Sequence, residues 1–119
     1  MKTGVAALLS MAVCGAVFAQ PVTYTWTGMG TAVPGSAKCQ TYRMTVSMTV
    51  DGNNVKGVFR QQGRQERTFV ATKDAKSVVK TTAVVGGEGT LDVTITFRGD
   101  DARILMEGYC KFEGRLTPQ

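Results

Sequence analysis

The side chains of this chain rule out much chemistry at the outset. Among its 119 residues there is no histidine. Ser-His-Asp and Cys-His nucleophilic catalysis are therefore excluded in their usual forms, and common zinc sites lose their main nitrogen ligand. No metal and no cofactor is expected. Carboxylates remain for hydrolytic work. Asp100 and Asp101 are adjacent, and neighbours on a strand diverge. Glu107 and Glu113 flank the last hairpin and could face each other across it, as a glycosidase pair does. The simpler reading is two solvated carboxylates near Arg103, Lys111 and Arg115. Asp51-Gly52-Asn53-Asn54 offers oxygens but lacks the spaced acidic ligands of a calcium loop. Gly86-Gly87-Glu88-Gly89 has no helix to open, so it reads as a turn and not a phosphate loop. The chain is read as a non-enzyme, with a carboxylate-dependent hydrolase as the weaker alternative.

Two groups of residues suit binding better. Arg60, Arg64 and Arg67 stand among Gln61, Gln62 and Gln65, framed by Phe59 and Phe69. Guanidinium groups grip carboxylates and phosphates bidentately, so this stretch is the candidate for an anionic partner. A solubilising loop that guards a sheet edge explains the same residues. Tyr24, Trp26, Met44 and Met48 would line an apolar cavity if the chain closes into a lipocalin-like barrel. Plain core packing is the simpler use for them.

The elements that must position these groups are strands. Thr41 to Val50 alternates strictly, with Tyr42, Met44, Val46, Met48 and Val50 on one face. Each such group is worth about 1.5–3 kcal/mol when buried, so the face requires a partner surface. Val22–Gly28 is a first strand. After the Asp51–Asn54 turn, Val55–Arg60 returns, making Thr41–Arg60 a hairpin. Residues 61–67 are polar throughout and read as a loop or hairpin end. Thr68–Thr72 and Ser77–Val85 are further strands about the Lys73-Asp74-Ala75-Lys76 turn. Leu91–Arg98 alternates cleanly, and Ala102–Glu107 and Tyr109–Leu116 close the chain. About eight short strands with frequent turns and no helical periodicity predict a single all-β domain. It is an antiparallel β-barrel or β-sandwich, meander-like because nearly every connection is short enough for a hairpin. An outer-membrane barrel is disfavoured, since strands of about 9–11 residues each would not fit.

Residues 1–19 read as a secretory signal peptide. Lys2 precedes an apolar run from Val5 to Val17, and Val17-Phe18-Ala19 offers a cleavage site before Gln20. The run is too short to span a bilayer. Val13 before Cys14 argues against a lipoprotein signal. Residues 20–119 are then the mature domain, and the formal net charge of +5 falls by one with Lys2. Two cysteines remain, Cys39 and Cys110, and an even count in an exported chain predicts a disulfide. Two free buried thiols are the alternative.

Tyr24-Thr25-Trp26-Thr27-Gly28, Cys39 before a Thr/Val strand, the Asp51-Gly52 hairpin and Cys110-Lys111-Phe112-Glu113-Gly114-Arg115-Leu116 resemble a class of small exported bacterial proteins. That class carries an early Trp-x-Gly, two cysteines and Gly-punctuated strands. The resemblance implies a periplasmic or secreted β-domain and no particular activity. An exported domain meets an anionic envelope polymer or an acidic protein. Nucleic acid is not expected, and nothing would span the membrane after cleavage. The expectation is a non-enzymatic binding domain, for which an inhibitor is one concrete form; a small apolar-ligand carrier is the alternative.

Overall fold

The computed structural model describes residues 20–87 and 89–119. The signal-peptide reading of residues 1–19, with Cys14, lies outside them, as does Glu88 of the glycine turn. Eight antiparallel strands form a nearly closed, barrel-like sheet: β1 (Val22–Met29), β2 (Arg43–Asp51), β3 (Asn54–Gln61), β4 (Arg67–Thr72), β5 (Val78–Gly86), β6 (Gly89–Arg98), β7 (Asp101–Glu107) and β8 (Lys111–Pro118). Their order is β4-β3-β2-β1-β8-β7-β6-β5. Every strand but two thus lies between sheet neighbours, and the two free edges belong to β4 and β5.

The alternation in the sequence sets the inside. Met44, Met48 and Val46 of β2, Val55 and Phe59 of β3, Leu91, Val93 and Ile95 of β6, Ile104 and Met106 of β7, and Phe112 and Leu116 of β8 form one buried core. Thr45, Ser47, Arg60, Lys80, Arg103 and Glu113 alternate with them and are exposed. The β2–β3 hairpin turns on two residues, and Gly52 takes φ +63° there, a left-handed conformation that favours glycine.

Cys39 and Cys110 are at disulfide distance, with Cα atoms 5.6 Å apart. Both are buried. The bridge pins the long β1–β2 connection to the β7–β8 turn at one end of the barrel. Tyr42 N–H donates to Cys39 O there at 3.2 Å, and Gly30 N–H to Tyr42 O at 3.0 Å.

Three expectations need correction. Ala37–Thr41 is a 3-10 turn, so the second strand starts at Arg43, not at Thr41; the bridge draws this segment over the barrel end. Gln61 belongs to β3 and is buried, not looped. Tyr109 and Cys110 lie in the turn before β8. The Lys73–Lys76 turn is present between β4 and β5, but the two strands it joins share no ladder.

That turn is built on Asp74. Its Oδ1 accepts from Lys76 N–H at 2.8 Å and Val78 N–H at 3.0 Å. These bonds hold its carboxyl below its ordinary pKa. The sign follows: a carboxyl lowered by folding contributes above its unfolded pKa and loses that contribution as pH falls through the folded one. The melting temperature of the wild type is therefore expected to fall more steeply below about pH 4 than that of Asp74→Asn, the curves converging in acid. Parallel curves would show that the turn adds nothing to stability.

Candidate functional site

The free edges of β4 and β5 face each other, and the pairing on their far sides dictates what they present. Lys73 N–H donates to Asn53 O at 2.9 Å. Alternation along an antiparallel strand then turns the backbone N–H and C=O groups of Thr68, Val70 and Thr72 away from β3. On β5, Phe97 N–H donates to Ser77 O at 3.1 Å. By the same alternation Lys80, Thr82 and Val84 present their backbone groups away from β6. Six residues thus aim peptide groups into one seam, across which no ladder forms.

The seam is a groove of about 440 Å³. Phe69 and Ala83, both core residues, reach its floor, and Val70 and Val84 stand on its rims. Val70 is 69% exposed and Val84 58%, the two highest values among the exposed large apolar side chains of the described residues. Glu66 and Arg67 close its upper end. A second concavity of about 350 Å³ adjoins it on the outer face, lined by Val58, Arg60 and Glu66 among others.

The three arginines do not form one patch. Arg67 opposes Phe59 in register and so starts on the inner face. A methyl group built on Gly86 would lie 3.0 Å from Arg67 Nη2, so the guanidinium reaches across the top of the seam to β5. Arg60 opposes Thr45 and points outward. Arg64 lies over the Tyr109 ring, 5.6 Å from its centroid, at the disulfide end. Glu66 is thus shared by the two concavities that Arg60 and Arg67 line, while Arg64 turns away.

Arg64 joins a cluster that the sequence pattern does not announce. Gln61 continues the inward series Val55, Gly57, Phe59, and its Oε1 accepts from the Tyr109 hydroxyl. Tyr109 packs edge-to-face on Phe112, centroids 6.0 Å apart. Burial pushes the Tyr109 pKa up, against the lowering effect of Arg64 and together with Tyr42. The period-two parity of Gln61 is the one signal in the sequence, and its polarity masks it.

Nor do the residues expected to line a cavity line either groove. Met44 and Met48 are wholly buried in the core. Tyr24 packs edge-to-face on Phe97 at 6.0 Å, and Trp26 lies against Gly28 and Gly114. Met48→Trp is accordingly expected to overpack the core and cost about 1–3 kcal/mol, measured by urea unfolding. Unchanged stability would reveal unfilled space.

No family model, curated protein or solved structure matches the chain. The chemistry of the surfaces has to be read from their own residues. Two carboxylates of the last hairpins, Asp101 and Glu113, are engaged in charge pairs. Glu107 opposes Lys111, not Glu113, and Lys111 Nζ lies 3.6 Å from Glu113 Oε1. Asp101 meets Arg115 at 2.9 Å and Arg103 at 3.3 Å. Among the described residues no three acidic or cysteine side chains gather as a metal site would need.

Proposed function

We propose that this chain is an exported, non-enzymatic binding domain whose docking face is the β4–β5 seam, with Arg60 and Arg67 beside it. The observation that carries the reading is the seam itself. There the core residues Phe69 and Ala83 reach a surface groove between two exposed valines. Exposed apolar rims beside cations are characteristic of recognition surfaces. Export is supported by the apolar run from Val5 to Val17 with its cleavage site at Val17-Phe18-Ala19 and by the buried cysteine pair. An acidic protein surface or an anionic envelope polymer is the class of partner that the two arginines suit.

The test uses the host's own envelope fraction as the probe. Val70→Ser with Val84→Ser, and Arg60→Ser with Arg67→Ser, are each expected to weaken binding at least tenfold. Substitution of exposed side chains costs within about 0.5 kcal/mol, so the valine pair should leave the melting temperature nearly unchanged. Arg64→Ser should bind as the wild type does. Undiminished binding by the first two variants would remove the seam as the docking face. A mass spectrum of the periplasmic protein, two protons below the reduced chain beginning at Gln20, checks cleavage and bridge together. An apolar adduct of a few hundred daltons would favour the carrier instead.

A further inference from the structure

We infer that the occupant of the β4–β5 seam is an extended, acidic segment of a partner protein, which adds to the sheet as a strand. This rests on the seam being the docking face and says how it binds. Backbone N–H and C=O groups are strong hydrogen-bonding groups that seek partners, and an unpaired sheet edge is a template for another chain. Lys80, Thr82 and Val84 on β5 aim these groups at the groove, as Thr68, Val70 and Thr72 do on β4. No ladder holds the two edges together, so parting them to seat a strand breaks no ladder hydrogen bond.

Charge selects among strands. Arg67 caps the upper end of the groove, Lys80 sits lower on the β5 edge, and Arg60 and Lys56 stand on the outer face of β3. Glu66 is the one acidic side chain lining the groove among the described residues. A segment with carboxylates flanking a few alternate apolar residues would place its acids near Arg67 and Lys80 and its apolar groups on Val70 and Val84. A second copy of this chain would bring the same cations, on a molecule whose formal net charge of +5 stays positive after loss of Lys2, against them. Shortness of β4 and the register shift between Val84 and Gly86 limit indiscriminate edge pairing. The site is thereby left to segments of matching length and charge.

The experiment pans a phage-displayed library of random nonapeptides against the intact oxidised domain. Enriched peptides are expected to alternate apolar and other residues and to carry net negative charge. Bound as synthetic peptides, they should slow hydrogen exchange at the amides of Lys80, Thr82 and Val84 at least tenfold. Methylating alternate backbone nitrogens of the peptide should abolish binding to the wild type. Thr82→Pro, which removes a donor aimed at the seam and none aimed at β6, should lose the peptides while keeping its melting temperature. If N-methylated peptides or Thr82→Pro bind normally while Val84→Asp does not, strand addition is overturned and the docking face stands. If Val84→Asp also binds normally, both fall. Absence of enrichment, or protection of the same amides by self-association alone, overturns the acidic strand and favours a second copy.

Discussion

Replacing Cys39 and Cys110 together by alanine is expected to lower the unfolding free energy by about 2–4 kcal/mol. The size comes from the chain closed by the bond, a sequence separation of 71 residues, whose entropy in the unfolded state rises when the link is cut. The place of the damage comes from what else holds the segment. Cys39 sits in a 3-10 turn outside the strand ladders. Apart from the bridge, that connection is tied by Gly30 N–H to Tyr42 O and by Thr31 N–H to Lys111 O at 2.7 Å. Loss should therefore show first at the amides of Gly30, Thr31 and Tyr42, by hydrogen exchange, while β2, β6 and β7 stay protected. The total is read from urea unfolding with the slope compared. A loss below about 1 kcal/mol, or one spread evenly over the strands, would mean that the bridge merely decorates a barrel end already held by its ladders.

Legibility in the sequence follows from how many strands have only one face buried. Arg43–Asp51 and Gly89–Arg98 alternate because one face meets the core and the other meets water, so alternation alone names their inward residues. Pairing of Cys39 with Cys110 is legible because they are the two cysteines left after residue 19, an even count in an exported chain. Gln61 is not, since a polar residue at an inward position looks like the end of a strand unless its partner, the Tyr109 hydroxyl, is known. The seam is hidden for a topological reason. Thr68–Thr72 and Ser77–Val85 flank a short turn, which normally means a hairpin, but Asp74 closes the turn on its own residues and β5 is committed to β6. The spread of Arg60, Arg64 and Arg67 follows from the same geometry: their spacing of four and three suits a loop, whereas the strand ends turn Arg60 outward and Arg67 inward.

Gly114→Val is expected to cost about 1–3 kcal/mol, the range for overpacking, although it adds apolar volume to a core strand. Gly28 and Gly114 stand on neighbouring strands at inward positions, and the Trp26 indole lies over both. A Cβ on Gly114 would overlap the indole nitrogen and its ring carbons. An indole is not the loose end of a flexible chain, so it must turn out or push β1 from β8. Those two strands are already paired in register only at Tyr24–Pro118 and Thr25–Thr117, with a bridge from Thr31 to Lys111 beyond. The indole therefore fills the stretch where the ladder lapses, and the two glycines are the space it needs. Trp26 is the sole tryptophan of the chain, so its emission reports its own displacement. Gly114→Val should shift that emission to the red and lower the urea midpoint together. Trp26→Leu should be costly alone yet remove most of the penalty of Gly114→Val in the double variant, a coupling within the about 0.5–3 kcal/mol seen between touching residues. Additive costs with unshifted emission would show that the indole does not rest on Gly114, and the closure of the barrel between β1 and β8 would need another cause.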